Sequence, residues 1–76
     1  MTESKKIITE RKIIDDYNEN IRYKLIIKND VYGYLELVIN YIDNVIYIID
    51  FNVKRVNCGY GSYIMNHVIN KIGRAH

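Results

Sequence analysis

An α+β fold, an antiparallel meander of three to four strands followed by one helix packed on a single sheet face, follows from three observations. Residues 21–28, IRYKLIIK, alternate with a period of two, Ile21, Tyr23, Leu25 and Ile27 on one side and Arg22, Lys24 and Lys28 on the other. Asn29-Asp30 and Asp43-Asn44 interrupt apolar runs with residue types that tolerate the left-handed backbone of tight hairpins. From Tyr60 onward the apolar period changes to three and four.

The first twenty residues are the least decided. KIITERKII reads as a strand returning through DDYNEN into residue 21, with a short charged helix as the alternative. The meander proper occupies 21–53. Its first strand has one wet face and ends at the Asn29-Asp30 turn. The next starts at Val31 and runs through VYGYLELVINYI, where Gly33 marks a bulge or a close backbone approach. After the second turn, Val45–Val53, VIYIIDFNV, is rich in β-branched and aromatic residues. Within these elements Tyr23, Tyr47 and Tyr60 fall at inward positions, which assigns tyrosines to the core rather than to base stacking. The helix spans 60–72, with an apolar stripe of Tyr60, Ile64, Met65, Val68, Ile69 and Ile72. Ser62, Asn66, His67, Asn70 and Lys71 lie on the polar side. Gly73 follows as a left-handed cap, and Lys71 and Arg74 complement the negative end of the helix dipole.

A chain of 76 residues holds one small domain, 1–76, whose core only just offsets the entropy of folding. Four strands and one helix cover one sheet face, so the other face or the edge at 45–53 needs water, a ligand or a partner. A homodimer through that open edge is one expectation. The 11 basic residues are interleaved with 9 acids, and no basic block exists to attract a polyanion, which argues against nucleic acid as a partner. No apolar run reaches the length of a membrane span, and Cys58 is the only cysteine, so no intramolecular disulfide and no Cys-x-x-Cys pair can form. Both points fit a cytoplasmic protein, or one resident in a host cytoplasm if it is viral.

The stretch VNCGYGSYIMNHVI carries the functional signal. A strand, a short loop holding Gly59 and Gly61 and then a helix bring backbone N–H groups and a helix dipole together on an anion, and glycine keeps Cβ atoms out of the way. The alternative is a plain strand-to-helix turn. Neither a P-loop nor a GxGxxG fingerprint is present, since position 64 is isoleucine. Cys58 at the helix start could act as a thiolate nucleophile, but His67 lies about two helical turns on and points outward. His67 has no metal-ligand partners either, and Asp50, Glu36 and Asp43 read as surface carboxylates.

The order of meander, last strand, GYGS and a helix carrying IMNH resembles the GNAT superfamily of N-acetyltransferases over about residues 21–73, and its loop and helix are similar to the histone acetyltransferase branch. Gly33 also resembles a glycine usual in that family's third strand. The resemblance implies acetyl-CoA as co-substrate, with a pyrophosphate loop at 56–62. That loop is marked in the family by Arg or Gln, two residues, Gly, one residue, then Gly or Ala. Gly59, Tyr60, Gly61 and Ser62 match its second half, while Val56 stands at the Arg or Gln position with Arg55 one residue early. The cofactor contacts implied are Phe51, Val53, Val56, Asn57, Cys58, Gly59, Tyr60, Gly61 and Ser62, a strand N–H around Phe51 to Val53 lying near the developing oxyanion.

The activity implied is transfer of an acetyl group to a primary amine, on a protein lysine or a small molecule. Alignment back from Gly59 puts Val45 at the position of the histone-acetylating branch's glutamate base, and the family's tyrosine acid would fall past residue 76. The resemblance therefore names no catalytic residue, no metal and no particular acceptor, and it covers the front half of the family's fold without the C-terminal half. A non-catalytic GNAT-derived binding or inhibitor module, of phage or viral type and acting through protein contacts, is the alternative reading.

Overall fold

In the computed structural model, which describes residues 4–55 and 57–73, Lys28 and Asn29 both adopt positive φ, 53° and 69°, and close a two-residue hairpin. Two consecutive left-handed residues give the turn whose twist matches its flanking strands. The strands it joins are β2, Asn18–Ile27, and β3, Asp30–Asn40. The turn is thus Lys28-Asn29, one residue earlier than the sequence pattern suggests, and Asp30 is the first residue of β3.

β1, Lys5–Ile13, confirms the strand reading of the N-terminal segment, and it pairs antiparallel with β2 from Lys5↔Ile27 to Ile13↔Glu19. Asp15 organises the connection: its Oδ1 accepts the backbone N–H of Tyr17 at 2.8 Å and of Asn18 at 2.9 Å. The Tyr17 bond first, then one from the Asn18 side-chain amide at 3.0 Å, hold the Asp15 carboxyl below its ordinary range. β4, Val45–Val53, has the bounds expected from its sequence. The turn before it covers Tyr41 to Asn44 rather than Asp43-Asn44 alone, because β3 stops at Asn40, whose side-chain oxygen accepts the Asp43 N–H at 2.9 Å. Asn44 takes the left-handed position at φ 54°. The result is one four-stranded sheet in the order β1-β2-β3-β4.

Helix α1, Tyr60–Gly73, lies on one face, chiefly over β3 and β2 and less over β4. Beneath it Ile21, Tyr23, Leu25 and Ile27 of β2 and Leu35 and Leu37 of β3 are buried with Ile64 and Val68 of the helix. Tyr60, Met65 and Ile72 pack against this core, as the helical period predicts, whereas Ile69 remains 57% exposed. Its neighbour on that side is β4, which the helix does not reach across. Gly73 is the last residue of the helix itself and not a left-handed residue following it, Gly59 being the glycine of positive φ among the described residues.

Two bulges fix which residues face the helix. The β2–β3 register runs from Ile26↔Val31 to Leu25↔Gly33, so Tyr32 is an extra residue. Gly33 meets both expectations placed on it, a bulge and a close approach. A Cβ there would stand 2.9 Å from Ile64 Cδ1 and 3.1 Å from the Asn52 carbonyl oxygen, so its absence lets α1 settle onto the sheet. The β3–β4 register runs from Glu36↔Asp50 to Leu37↔Ile48, which leaves Ile49 as the extra residue. Past that bulge the alternation is reversed. Ile48 pairs with Leu37 and Ile46 with Ile39 on the helix side, and Tyr47 pairs with Val38 on the open face at 57% exposure. Tyr47 is therefore not a core residue, since strict alternation through VIYIIDFNV misassigns everything before Ile49.

Candidate anion site at the start of the helix

β4 delivers the chain to the site, and the Lys54 N–H donates to the Tyr32 carbonyl at 2.8 Å, fastening its end to β3. Lys54 Nζ lies 4.8 Å from the centroid of the Tyr32 ring, and that ring meets Tyr60 edge to face at 5.5 Å. Tyr32 is thus the anchor of the loop. Nothing local in the sequence marks Tyr32 for this role, although the bulge signalled by Gly33 is what turns it toward the helix.

The loop turns on two left-handed residues, Asn57 at φ 63° and Gly59 at φ 77°. Asparagine and glycine are the residues for which this conformation is least costly. The Gly59 carbonyl accepts the Tyr63 N–H at 2.9 Å, the first bond of the helix. Gly61 and Ser62 belong to the turn whose N–H groups have no acceptor within a helix, and no acidic side chain occupies that turn. Among the described residues nothing lies within 4 Å of where a Gly59 Cβ would be, so they leave the approach to this end of the helix open. Gly61 faces the sheet: its Cβ would lie 3.5 Å from Phe51 Cζ and 3.9 Å from Val53 Cγ1.

The structure therefore gathers Phe51, Val53, Tyr60 and Gly61 at the end of β4, with Asn57, Cys58, Gly59 and Ser62 exposed around them. Val56 lies outside the described residues. Lys54 and Arg55, both exposed, supply positive charge just before the loop. This arrangement can receive a phosphate through backbone amides and an apolar chain along Phe51 and Val53.

It does not assemble a nucleophile with a base. Cys58 is exposed, but His67 is turned toward the sheet rather than outward, its ring edge-on to Tyr23 at 5.8 Å. Burial, and then the Lys71 charge, push the His67 pKa below its usual value. Asp50 faces away from the helix and accepts the Tyr34 hydroxyl at 2.7 Å, a bond that raises the Tyr34 pKa. Glu36, on the same open face, pairs with Arg22 at 3.4 Å. These carboxylates support the sheet surface, as their surface reading anticipates.

At the far end of the helix lies a recess of about 110 Å³ lined by Arg11, Ile21, Tyr23, Ile39, Tyr41, Asn44, Ile46, Lys71 and Ile72. Arg11 bridges to Glu19 at 3.3 Å, and Tyr41 donates to the same carboxylate at 2.6 Å. The buried Tyr23 hydroxyl has no protein partner among the described residues, and burial raises its pKa. Alternation places Tyr23 in the core without revealing this recess, which α1 and the Tyr41–Asn44 turn enclose only in three dimensions.

Among the described residues no group of three or more His, Cys, Asp or Glu side chains could hold a metal, and no helix is long and apolar enough to cross a membrane. Compared with models of protein families, with curated proteins and with solved structures, the chain gives no match.

Proposed function

We propose that this chain is an acetyl-CoA-binding domain of GNAT type, whose reaction is the transfer of an acetyl group to a primary amine. The observation that carries the reading is the junction of β4 and α1. An edge strand leads through two left-handed residues, Asn57 and Gly59, into a helix whose first turn has no acid and an open approach. The pyrophosphate would sit on the amides of Gly61 and Ser62, and the pantetheine would run back along Phe51 and Val53. An amine held against the thioester would then react chiefly through proximity, with a strand N–H near Phe51 to Val53 taking up developing charge. The single, exposed Cys58 suits a reducing compartment, and we place the protein in the cytoplasm.

Titration calorimetry with CoA and with acetyl-CoA tests the binding step. Heat is expected for both ligands, and so is a rise in melting temperature that Gly61→Glu abolishes by filling the space beside Phe51 and Val53 along which the pantetheine would run. No heat, together with a CoA melting curve unaffected by Gly61→Glu, overturns the reading.

A second reading, a non-catalytic binding or inhibitor module, is favoured by the positions of Asp50 and His67, neither of which is presented to the loop. Transfer of radiolabelled acetyl groups to a lysine-rich protein mixture separates the two. Label on protein supports the enzyme; CoA binding without transfer supports the module.

A further inference from the structure

The recess at the C-terminal end of α1 contains a polar group that the fold itself does not use. Tyr23 forms part of the wall and is only 1% exposed, and its hydroxyl is shut off from solvent with no partner among the described residues. A phenylalanine would fill the same core volume without leaving a buried donor unpaired, which is the costly state of a polar group. The hydroxyl lies at the charged end of the recess, within reach of the Arg11 and Glu19 charges, and Tyr41 in turn feels Tyr23. Burial keeps it protonated, so it is a donor awaiting an acceptor.

Size and charge select what that acceptor belongs to. About 110 Å³ is close to the roughly 150 Å³ of an apolar cavity that takes up benzene, and well below the roughly 300–1,000 Å³ of sites for larger ligands. One ring or a short branched chain fits; a nucleotide does not. Ile21, Ile39, Ile46 and Ile72 supply apolar walls. Arg11 bridges to Glu19, and the same carboxylate accepts the Tyr41 hydroxyl, so Glu19 is already satisfied. Lys71 makes no ion pair among the described residues. Two cations, Arg11 and Lys71, against the single carboxylate of Glu19 leave a positive excess beside the apolar walls.

We propose that this recess binds a small organic monocarboxylate, whose carboxylate accepts the Tyr23 hydroxyl and pairs with Lys71 while its compact apolar body packs on the isoleucine walls. A neutral molecule of the same shape meets the hydroxyl but not the charge, and a cation is repelled by Arg11 and Lys71. Arg11 is 58% exposed along its side chain and Tyr41 is 54% exposed, so entry displaces surface groups and leaves the core in place. The 14 residues of α1 set the recess about 20 Å from the loop at 57–62. The site is therefore independent of the acetyl-CoA reading.

Isoleucine-methyl NMR of the wild-type chain, titrated with sodium benzoate to about 20 mM, is the test. Saturable shifts are expected at Ile21, Ile39, Ile46 and Ile72 and not at Ile27, which lies at the opposite end of β2, with a dissociation constant on the order of 1 mM. Benzyl alcohol, the neutral counterpart, should bind at least 10-fold more weakly. Tyr23→Phe removes only the hydroxyl; it should keep or raise the melting temperature and weaken benzoate about 10-fold or more, the worth of one hydrogen bond to a charged group. Lys71→Met, at an exposed position, should weaken benzoate about 3-fold or more and narrow its advantage over benzyl alcohol. Shifts that do not saturate, equal affinity for benzoate and benzyl alcohol, or unchanged benzoate binding in either variant overturns the proposal and leaves the recess to water. The heat of CoA binding should be the same with and without benzoate, and Gly61→Glu should bind benzoate as the wild type does, so failure of one reading is distinguishable from failure of the other.

Discussion

β4 is the more apolar strand, with seven of nine residues against five of ten in β2, yet it is β2 that is buried. In β2, Ile21, Tyr23, Leu25 and Ile27 are each no more than 1% exposed, whereas in β4, Ile46, Tyr47, Ile48, Ile49 and Phe51 are all at least 41% exposed. Isoleucine and tyrosine occur in both sets. What differs is position: β2 has a neighbour on both sides and α1 above it, and β4 is an edge that a single helix covers only at one end. Hydrophobicity thus measures what a strand can bury, and the architecture decides whether it does. In one strand the apolar side chains are spent on stability, and in the other they stay at the surface.

Truncation is the strongest way to break the comparison. Leu35→Ala, at a fully buried position, should cost about 2–5 kcal/mol in urea denaturation. Ile49→Ala should change monomer stability by no more than about 0.5 kcal/mol when measured at low micromolar concentration. Equal losses at the two positions would mean that β4 is packed like β2.

The glycines sharpen the contrast at the next level. Gly33→Ala drives a methyl group to 2.9 Å from Ile64 and 3.1 Å from a backbone oxygen, and should cost about 1–3 kcal/mol. Gly61→Ala meets Phe51 at 3.5 Å, an ordinary contact, and should be neutral or slightly stabilising by the same denaturation measurement. Near-equal values would show that the helix does not rest on Gly33 in the manner described.

Titration reads the same difference more gently. The folded pKa of His67 is lowered below 6.5, so the unfolded chain takes up its proton first as pH falls. Stability should be complete above pH 6.5, decline below it, and level off beneath the folded pKa. A proton-NMR titration gives the His67 midpoint, which must fall below 6.5, and His67→Gln should flatten that part of the stability curve. On the exposed face the smallest effect is expected. Tyr34 has a raised folded pKa through its bond to Asp50, so its contribution is present below pH 10 and lost as pH rises through the folded value. Tyr34→Phe should remove only that alkaline dependence, followed by the absorbance of tyrosinate.

Much of this was legible before any coordinates. Alternation in IRYKLIIK named four buried residues of β2 correctly, because a half-buried strand must alternate. Spacing from Tyr60 onward located the helix, and Gly33 announced both a bulge and the close passage of α1. For the candidate site, the pattern showed that the loop leads from strand into helix, but not that Asn57 and Gly59 are its left-handed residues or that Tyr32 holds it.

By itself, then, the sequence determined the class of fold, the order of its elements and the inward face of the central strands, since all three follow from local periodicity. Only the tertiary structure decided the rest. One extra residue at Ile49 exchanged the faces of half of β4, the hairpin settled on Lys28-Asn29, and His67 turned in against Tyr23. The reason is common to all three: register and facing are set by how two elements fit each other, and a pattern read along one strand contains no information about its partner.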